Sequence, residues 1–468
     1  MRAVGHPFNV LASSEISTIH QGALRILREM GMEIQNRHLL EACAEIGILV
    51  DYAAQRARFP SSLVEQFIAD AEKFNWEDFR PQVTSTAGLY HSLFHDPETG
   101  HLIEWTEEKL AAYFTLARSL PEIGKARMLG CRLPVAPVLE PLYERYYCWK
   151  YGAEPGGSID LDPVCPHLLE LYQAYADQCS LPIEEVFHAN VYLVPALKLG
   201  VHEAYQVDYF REHGLRVGIG DMYAMGANTP VTVAGAVTLN LAEQLALGIL
   251  NWALYGEKKL HLGCSIAPLD MRTMVYPFGR PESVIVNLMM AQLAHYYKAS
   301  YSGHGGLTSA KLPSPEAGYQ KALTAIPILL AGGNIWMDAG LLSCDEVCSP
   351  IQMVLDNEFL GVLDHLSMDF EVTPESLGIE TILEAGPAGG YMDKEHTVRH
   401  FRTELWEPSI WTRKMLHPWL QDGSLLDVDY ARNVALDIKQ QHVQPMISDA
   451  VEKELLKVIQ NAEKGLAD

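Results

Sequence analysis

The sequence predicts an α/β protein organised as a (β/α)₈ TIM barrel, with a helical N-terminal extension and further helices at its C-terminal end. Three observations carry that prediction. From about Lys109 onward, short apolar runs alternate with long helical segments, and strands buried on both faces read as such continuous apolar runs in a parallel sheet. Seven runs are recognisable: ARMLGCRL, GGSIDL, FHANVYLV, LRVGIGDM, KLHLGCSI, ASYSGHGG and NIWMDAGLL. That number suits an eight-stranded barrel better than an open doubly wound sheet. Finally, no GxGxxG or Walker pattern opens any unit, which weakens nucleotide-binding alternatives.

Taken in order, residues 1–85 form a helical region. IHQGALRILREMGMEI puts Ile19, Ala23, Ile26, Leu27 and Met30 on one helical face, and Gly31 caps or interrupts that helix. HLLEACAEIGILVD and SSLVEQFIADAEKF follow in the same style, with Ser61 and Ser62 as N-cap candidates; ILVDYAAQRARF between them reads as a short hairpin. The barrel is assigned to residues 86–373. Near its start, DPETG marks a turn between two strand-like pieces. VAGAVTLNLAEQLALGILNWALY and ESVIVNLMMAQLAHYYK are crossover helices, and LSMDFEV is one candidate for the eighth strand. The uncharged run from Tyr223 to Ala242 has the length of a membrane span, but it holds Asn228, Thr229, Pro230 and Asn240 and reads as buried loop and helix. Residues 374–468 form a C-terminal helical region that covers the barrel or another subunit.

Bulk properties narrow the function. The 468-residue chain carries a net charge of −24, which argues against unaided binding to nucleic acid or anionic membranes. MRAVGHPFNV has no signal-peptide core, and eight cysteines in a chain this long suggest no disulfide framework. The expectation is a cytoplasmic protein with reduced thiols.

In a barrel, reactive groups lie at the carboxyl ends of strands. That rule selects Asp160, Asp162, Tyr192, Asp221 through Tyr223, Asp270, Arg272, His304 through Leu307, and Trp336 through Asp338. Mutual pairing or helix capping is an equal alternative for each charged group. Arg272 offers a planar fork for a carboxylate, with Asp270 to orient it, or the two form a structural ion pair. Tyr192, Tyr223, Tyr301 and Trp336 fall at or near strand ends, and aromatic faces attract quaternary ammonium groups by about 0.5–2 kcal/mol per contact. His396 and His400, like Cys344 and Cys348, stand four apart without a compelling third ligand, so no metal site is assigned. No nucleophile–base pair stands out.

The ordered motifs TPVTVAGAVTLNLAEQLALG, DMRTMVYPFGRPES, GGLTSAKLPSPEAGYQKAL, LDNEFLG and EHTVRHFRTELWEP resemble the trimethylamine methyltransferase (MttB) superfamily over nearly the whole length. The resemblance implies a (β/α)₈ barrel that passes a methyl group from an amine to the cobalt of a small corrinoid protein, in methanogenesis or acetogenesis. It implies no tightly bound cofactor, because the cobalamin belongs to the partner. Leu307 stands where the trimethylamine enzymes carry pyrrolysine, so the chain resembles the non-pyrrolysine branch, whose members act on quaternary amines: glycine betaine first, then proline betaine, carnitine or γ-butyrobetaine.

Chemistry explains the difference between branches. A quaternary nitrogen already bears a positive charge and departs as a neutral tertiary amine, so it needs neither general acid nor metal. The nucleophile is the partner's Co(I), and the enzyme contributes alignment and exclusion of water. No catalytic residue is therefore assigned. Tyr192, Tyr223, Tyr301 and Trp336 are expected around the ammonium, Arg272 and His304 at the carboxylate. Gly303, Gly305 and Gly306 are expected to leave room for the corrin ring. A homo-oligomer is expected. The rival readings are a tertiary or secondary methylamine substrate, and a non-catalytic homologue that binds betaine or docks a corrinoid protein.

Overall fold

The computed structural model describes residues 9–130, 135–157, 162–193, 196–368, 370–439 and 444–466. Its parallel strands are numbered β1 (Val83–Leu89), β2 (Ala126–Met128), β3 (Glu154–Pro155), β4 (Asn190–Leu193), β5 (Gly218–Asp221), β6 (Tyr223–Met225), β7 (His261–Cys264), β8 (Ile266–Pro268), β9 (Ser300–His304) and β10 (Asn334–Ala339). Six of them form one parallel sheet in the order β7-β9-β10-β1-β2-β3. Among these ten strands two further parallel pairs, β4 with β5 and β6 with β8, stand outside that ladder, and two short parallel pairings lie elsewhere, Met32–Ile34 with Lys198–Leu199 and Leu93–His95 with Val347–Cys348. The ladders meet at their edges. Asn190 N–H donates to the Gly157 carbonyl (2.8 Å) beyond the end of β3, and Tyr223 N–H donates to the Ser265 carbonyl (3.0 Å) between β7 and β8.

All the runs expected as strands contribute to these ladders except GGSIDL. There the strand is Glu154–Pro155, just upstream, and residues 158–161, including Asp160, lie outside the described residues. The unplaced strand is β1, not LSMDFEV: among the described residues 366–372 no strand forms. β1 reads VTSTAGL and lacks the apolar run that betrays a buried strand. Its small and hydroxylated residues fit because one face meets other strands' side chains at close quarters; a Cβ on Gly88 would lie 2.6 Å from Asp338 Cβ.

Long amphipathic or apolar helices back the strands. Val233–Tyr255 is, among the described residues, the one helix long and apolar enough to cross a membrane, and 72% of its most apolar window is buried in the protein. It packs against the N-terminal helix Ser13–Glu29, which buries Ile19, Ala23 and Leu27. The 49–58 hairpin forms as expected, whereas the helix Ser61–Asp70 is led in by Pro60 without a serine cap. Behind β10, the helices Pro315–Leu330 and Pro350–Leu366 are tied by a buried Lys321–Asp356 ion pair (2.9 Å). Asp356 also accepts from Gly340 N–H and Gln352 Nε2, each at 2.8 Å, so the buried carboxylate has three donors.

The C-terminal region divides in two. Asp449–Leu466 buries Val451, Leu455, Val458, Ile459 and Ala462 as it packs on Cys165–Cys179. By contrast, no described residue between 364 and 430 is buried, although this stretch carries Leu383, Met392, Met415 and Leu416, each at least 69% exposed.

Candidate functional site

Alternation along β9 decides what faces the site. Successive side chains of a strand point to opposite faces. Tyr301 and Gly303 are buried on the helix side, and Tyr301 OH donates to Asn287 Oδ1 (2.7 Å) of the helix Pro281–Tyr297. His304 points the other way, pairs in register with Trp336 of β10 and stacks on its ring at 4.3 Å and 21°. Asp338, two residues further on β10 and 5% exposed, sets Oδ2 3.7 Å from His304 Nε2. That separation is too long for a hydrogen bond. His304 Nε2 and Trp336 Nε1 both lack a partner among the described residues.

A cavity opens beside His304, over the carboxyl ends of β7, β8 and β9. Cys264 through Ala267, Tyr276, Phe278, Ser283, Asn287, Leu307 and Thr324 line it. Phe278 meets His304 edge-on at 6.1 Å, and Tyr276 meets Phe278 edge-on at 5.6 Å. Leu307 is fixed by its backbone N–H, which donates to Thr324 Oγ1 (2.9 Å). The loop carrying Leu307 is braced by residues 343–345: Ser343 N–H donates to the Ala310 carbonyl and Cys344 N–H to that of Thr308. Ser343, Cys344 and Asp345 all have positive φ (56°, 55° and 71°), a costly conformation for three non-glycine residues in a row. Burial pushes the Asp345 carboxyl up to about 6, against the opposing pull of His304. The local chemistry is therefore aromatic walls with two acidic groups close by and no nucleophile–base pair.

The structure sorts the residues expected from sequence. His304, Trp336 and Leu307 come together. Tyr192 projects from β4 beside Gly220 and feels the charges of Arg127 and Asp338, with burial raising its phenol pKa. Tyr223 and Tyr301 do not join them. Tyr223 is fully buried, beside Asp221 and Glu243. Asp221 accepts from Asn240 and Gln244; burial and the neighbouring Glu243 carboxylate raise its pKa to about 7. Arg272 lies in an exposed turn, where Asp270 Oδ1 accepts the backbone N–H groups of Arg272 (2.8 Å) and Thr273 (3.1 Å). The carboxylate thus closes the turn and makes no ion pair with the Arg272 guanidinium. Asp162 accepts from His202 at 2.7 Å.

The glycines have a different environment from the one expected. A Cβ on Gly303 would meet Asn287 Oδ1 at 2.5 Å, one on Gly305 would meet Ala325 Cα at 3.1 Å, and one on Gly306 (φ +68°) would meet the Met337 sulfur at 2.4 Å. Their bareness lets β9 and its loop press against the helix Pro315–Leu330 and β10. The His396 and His400 rings lie 4.5 Å apart, yet the one cluster of three potential metal ligands among the described residues is elsewhere, at His38, Asp208 and Glu212. Cys344 faces Ser309 and Cys348 faces Ser92.

Tyr276 and Phe278 were not anticipated, because they follow a strand end by several residues in the run VYPFGRP. Arg127, a charge between the buried Ala126 and Met128, signals a side chain on the face opposite the helices.

With this geometry in hand, comparison with known proteins is informative. Residues 185–467 match the family model for trimethylamine methyltransferase (MTTB). The chain belongs to the trimethylamine methyltransferase (MTTB) family. This MTTB family member is 23% identical over 480 residues to trimethylamine methyltransferase MttB of Desulfitobacterium hafniense, covering 99% of this chain and 95% of that protein. It is likewise 23% identical to MttB1 of Methanosarcina acetivorans, over 98% of this chain and 96% of that one. A glycine betaine methyltransferase from Desulfitobacterium hafniense is 27% identical over 214 residues, 46% of this chain and 45% of that protein. Among solved structures, the Methanosarcina barkeri monomethylamine methyltransferase (MtmB) superposes with a TM-score of 0.43 at 12% identity, over 100% of this chain and 96% of that one.

Proposed function

We propose that this protein moves a methyl group from a quaternary amine, glycine betaine in the first instance, to the Co(I) of a corrinoid protein and releases dimethylglycine. The observation that carries the reading is Leu307: an inert side chain lines the cavity beside His304, Tyr276 and Phe278 at the position the resemblance gives to pyrrolysine. Leucine cannot activate a tertiary amine, whereas a quaternary nitrogen needs no activation. The Co(I) electron pair forms the new bond to the methyl carbon, and the C–N pair leaves on nitrogen as the neutral tertiary amine. No proton moves. The residues of this chain bind, align and keep the site dry. Trp336 and the Tyr276–Phe278 edge supply aromatic faces to the ammonium, and Asp338 and Asp345 supply a negative field. The same reading extends to proline betaine, carnitine and γ-butyrobetaine as alternatives.

The reading treats the three parallel ladders as arcs of one (β/α)₈ barrel, flanked by regions 1–85 and 374–468; the edge hydrogen bonds at Gly157 and Ser265 support it. It also includes a homo-oligomer. Exposed apolar side chains within 364–430, among them Leu383, Met392, Met415 and Leu416, support it, since permanent interfaces are the more apolar ones. Light scattering at micromolar concentration should therefore give a mass above the 52.1 kDa of one chain.

The activity test is direct. Purified protein is mixed with glycine betaine and reduced corrinoid, and the absorbance of the methylated corrinoid is followed. Its appearance together with dimethylglycine supports the reading; betaine binding without any spectral change sinks it in favour of a non-catalytic betaine binder.

A further inference from the structure

Arg127 is the middle residue of β2. Its neighbours Ala126 and Met128 are fully buried on the helix side, so alternation turns Arg127 toward the face shared by Trp336 and Asp338. In register it stands between Gly88 of β1 and Glu154 of β3.

Arg127 is half-buried with its Nε–H shut off from solvent, and a buried donor is ordinarily matched, here most simply by a carboxylate. The nearby acids are committed elsewhere. Glu154 pairs with Lys125 at 2.9 Å, and Glu144 accepts from Arg145 and from Gly156 N–H, each at 3.0 Å. Among the described residues Arg127 forms no ion pair, and its Nε–H, shut off from solvent, has no acceptor. His188 nearby is kept neutral, burial and the Arg127 charge holding its pKa down to about 4.

Gly88 sits in register with Arg127 and lies against Asp338 on its other side. β10, β1 and β2 are consecutive strands, so the backbones bearing Asp338 and Arg127 are about 10 Å apart, two strand spacings. One edge of the site is thus anionic and aromatic, and the other carries an unmatched planar cation. A simple amine would leave that cation unmatched. A zwitterion with its ammonium toward Trp336 and Asp338 would not.

We propose that Arg127 is the carboxylate anchor of this site and that its substrates are carboxylate-bearing quaternary amines. The proposal rests on the quaternary-amine reading above and assigns to Arg127 the role that sequence reasoning gave to Arg272. The guanidinium fork donates two hydrogen bonds to the carboxylate.

Calorimetry on the full chain tests it with two probes, glycine betaine and tetramethylammonium, which share the cation and differ in the carboxylate. The wild-type protein is expected to bind betaine at least about 10-fold tighter than tetramethylammonium. Arg127→Gln is expected to weaken betaine binding by about 30-fold or more while leaving tetramethylammonium binding and the melting temperature in place. Arg127→Lys is expected to fall between the two proteins for betaine alone. Betaine affinity unchanged in Arg127→Gln, or equal wild-type affinity for both probes, overturns the anchor and leaves the quaternary-amine reading standing. If the wild-type protein binds neither probe, the quaternary-amine reading itself fails. The wild-type comparison decides the matter even if a variant does not fold.

Discussion

The two faces of the parallel strands differ in the polar groups they carry. On the helix side, Tyr301 finds Asn287, and Lys321 finds Asp356, which also takes Gly340 and Gln352, while Ser283 Oγ, Asn240 Oδ1 and Gln352 Oε1 lack a partner among the described residues. On the opposite face, His304 Nε2, Trp336 Nε1 and Arg127 Nε have no partner among the described residues. Buried polar groups in native proteins are nearly always satisfied, so these three nitrogens, gathered on one face, are the ones a ligand would complete.

Substitutions on either face can break or sharpen this contrast. The largest effect is expected at Lys321. Lys321→Met leaves Asp356 buried and uncompensated, at a cost of about 3–5 kcal/mol, read as a lower denaturation midpoint, while the turnover of the protein that remains folded is little changed. Loss of betaine turnover at wild-type stability would place Lys321 in the site instead. Next, Trp336→Ala should lower betaine affinity by about 30-fold, on the order of 2 kcal/mol for a desolvated cation–π contact, with Tyr301→Phe moving it less than about threefold. Equal effects would erase the distinction between the faces.

Gly305→Val should cost about 1–3 kcal/mol of stability, since its new side chain starts 3.0 Å from Ile335 Cγ2 and 3.1 Å from Ala325 Cα. Binding and methyl transfer should fall together with the melting temperature. Selective loss of transfer in a fully stable variant would return the glycine to a corrin-facing role.

The smallest effect is a pH slope on the helix side. Asp221 and Glu243 both have folded pKa values raised to about 7, chiefly by burial. Their unfolded values lie near 4, so their contribution to stability is full below about pH 4 and is lost as pH rises through about 7. Denaturation midpoints should therefore fall between pH 6 and pH 8, by about 1 kcal/mol per group. Asp221→Asn should flatten that slope; an unchanged slope would show that Asp221 is already ionised at pH 6.

How much of this was legible in the sequence follows from the same contrast. Apolar runs revealed most of the strands because strands buried on both faces read as continuous apolar stretches. β1 was missed because VTSTAGL meets other side chains at close range and is built from small residues. Strand-end position drew attention to both His304 and Trp336, which stack in the structure, yet it also selected Tyr301, three residues before His304 and on the opposite face. Arg272 looked like a clamp because a DMR triplet shows charge and not the Asx-type turn that uses it. Asp345 comes from a loop of three consecutive left-handed residues, a geometry that Ser343, Cys344 and Asp345 do not announce, and Tyr276 and Phe278 come from a loop that turns through left-handed Met274 and Gly279.

The central claim is that the fixed charge on nitrogen, and no activating group on this chain, makes the methyl transferable. One competition experiment tests it most directly: equimolar glycine betaine and trimethylamine are offered together with reduced corrinoid, and the amine products are read by proton NMR. The account predicts dimethylglycine alone. Dimethylamine in its place would contradict it.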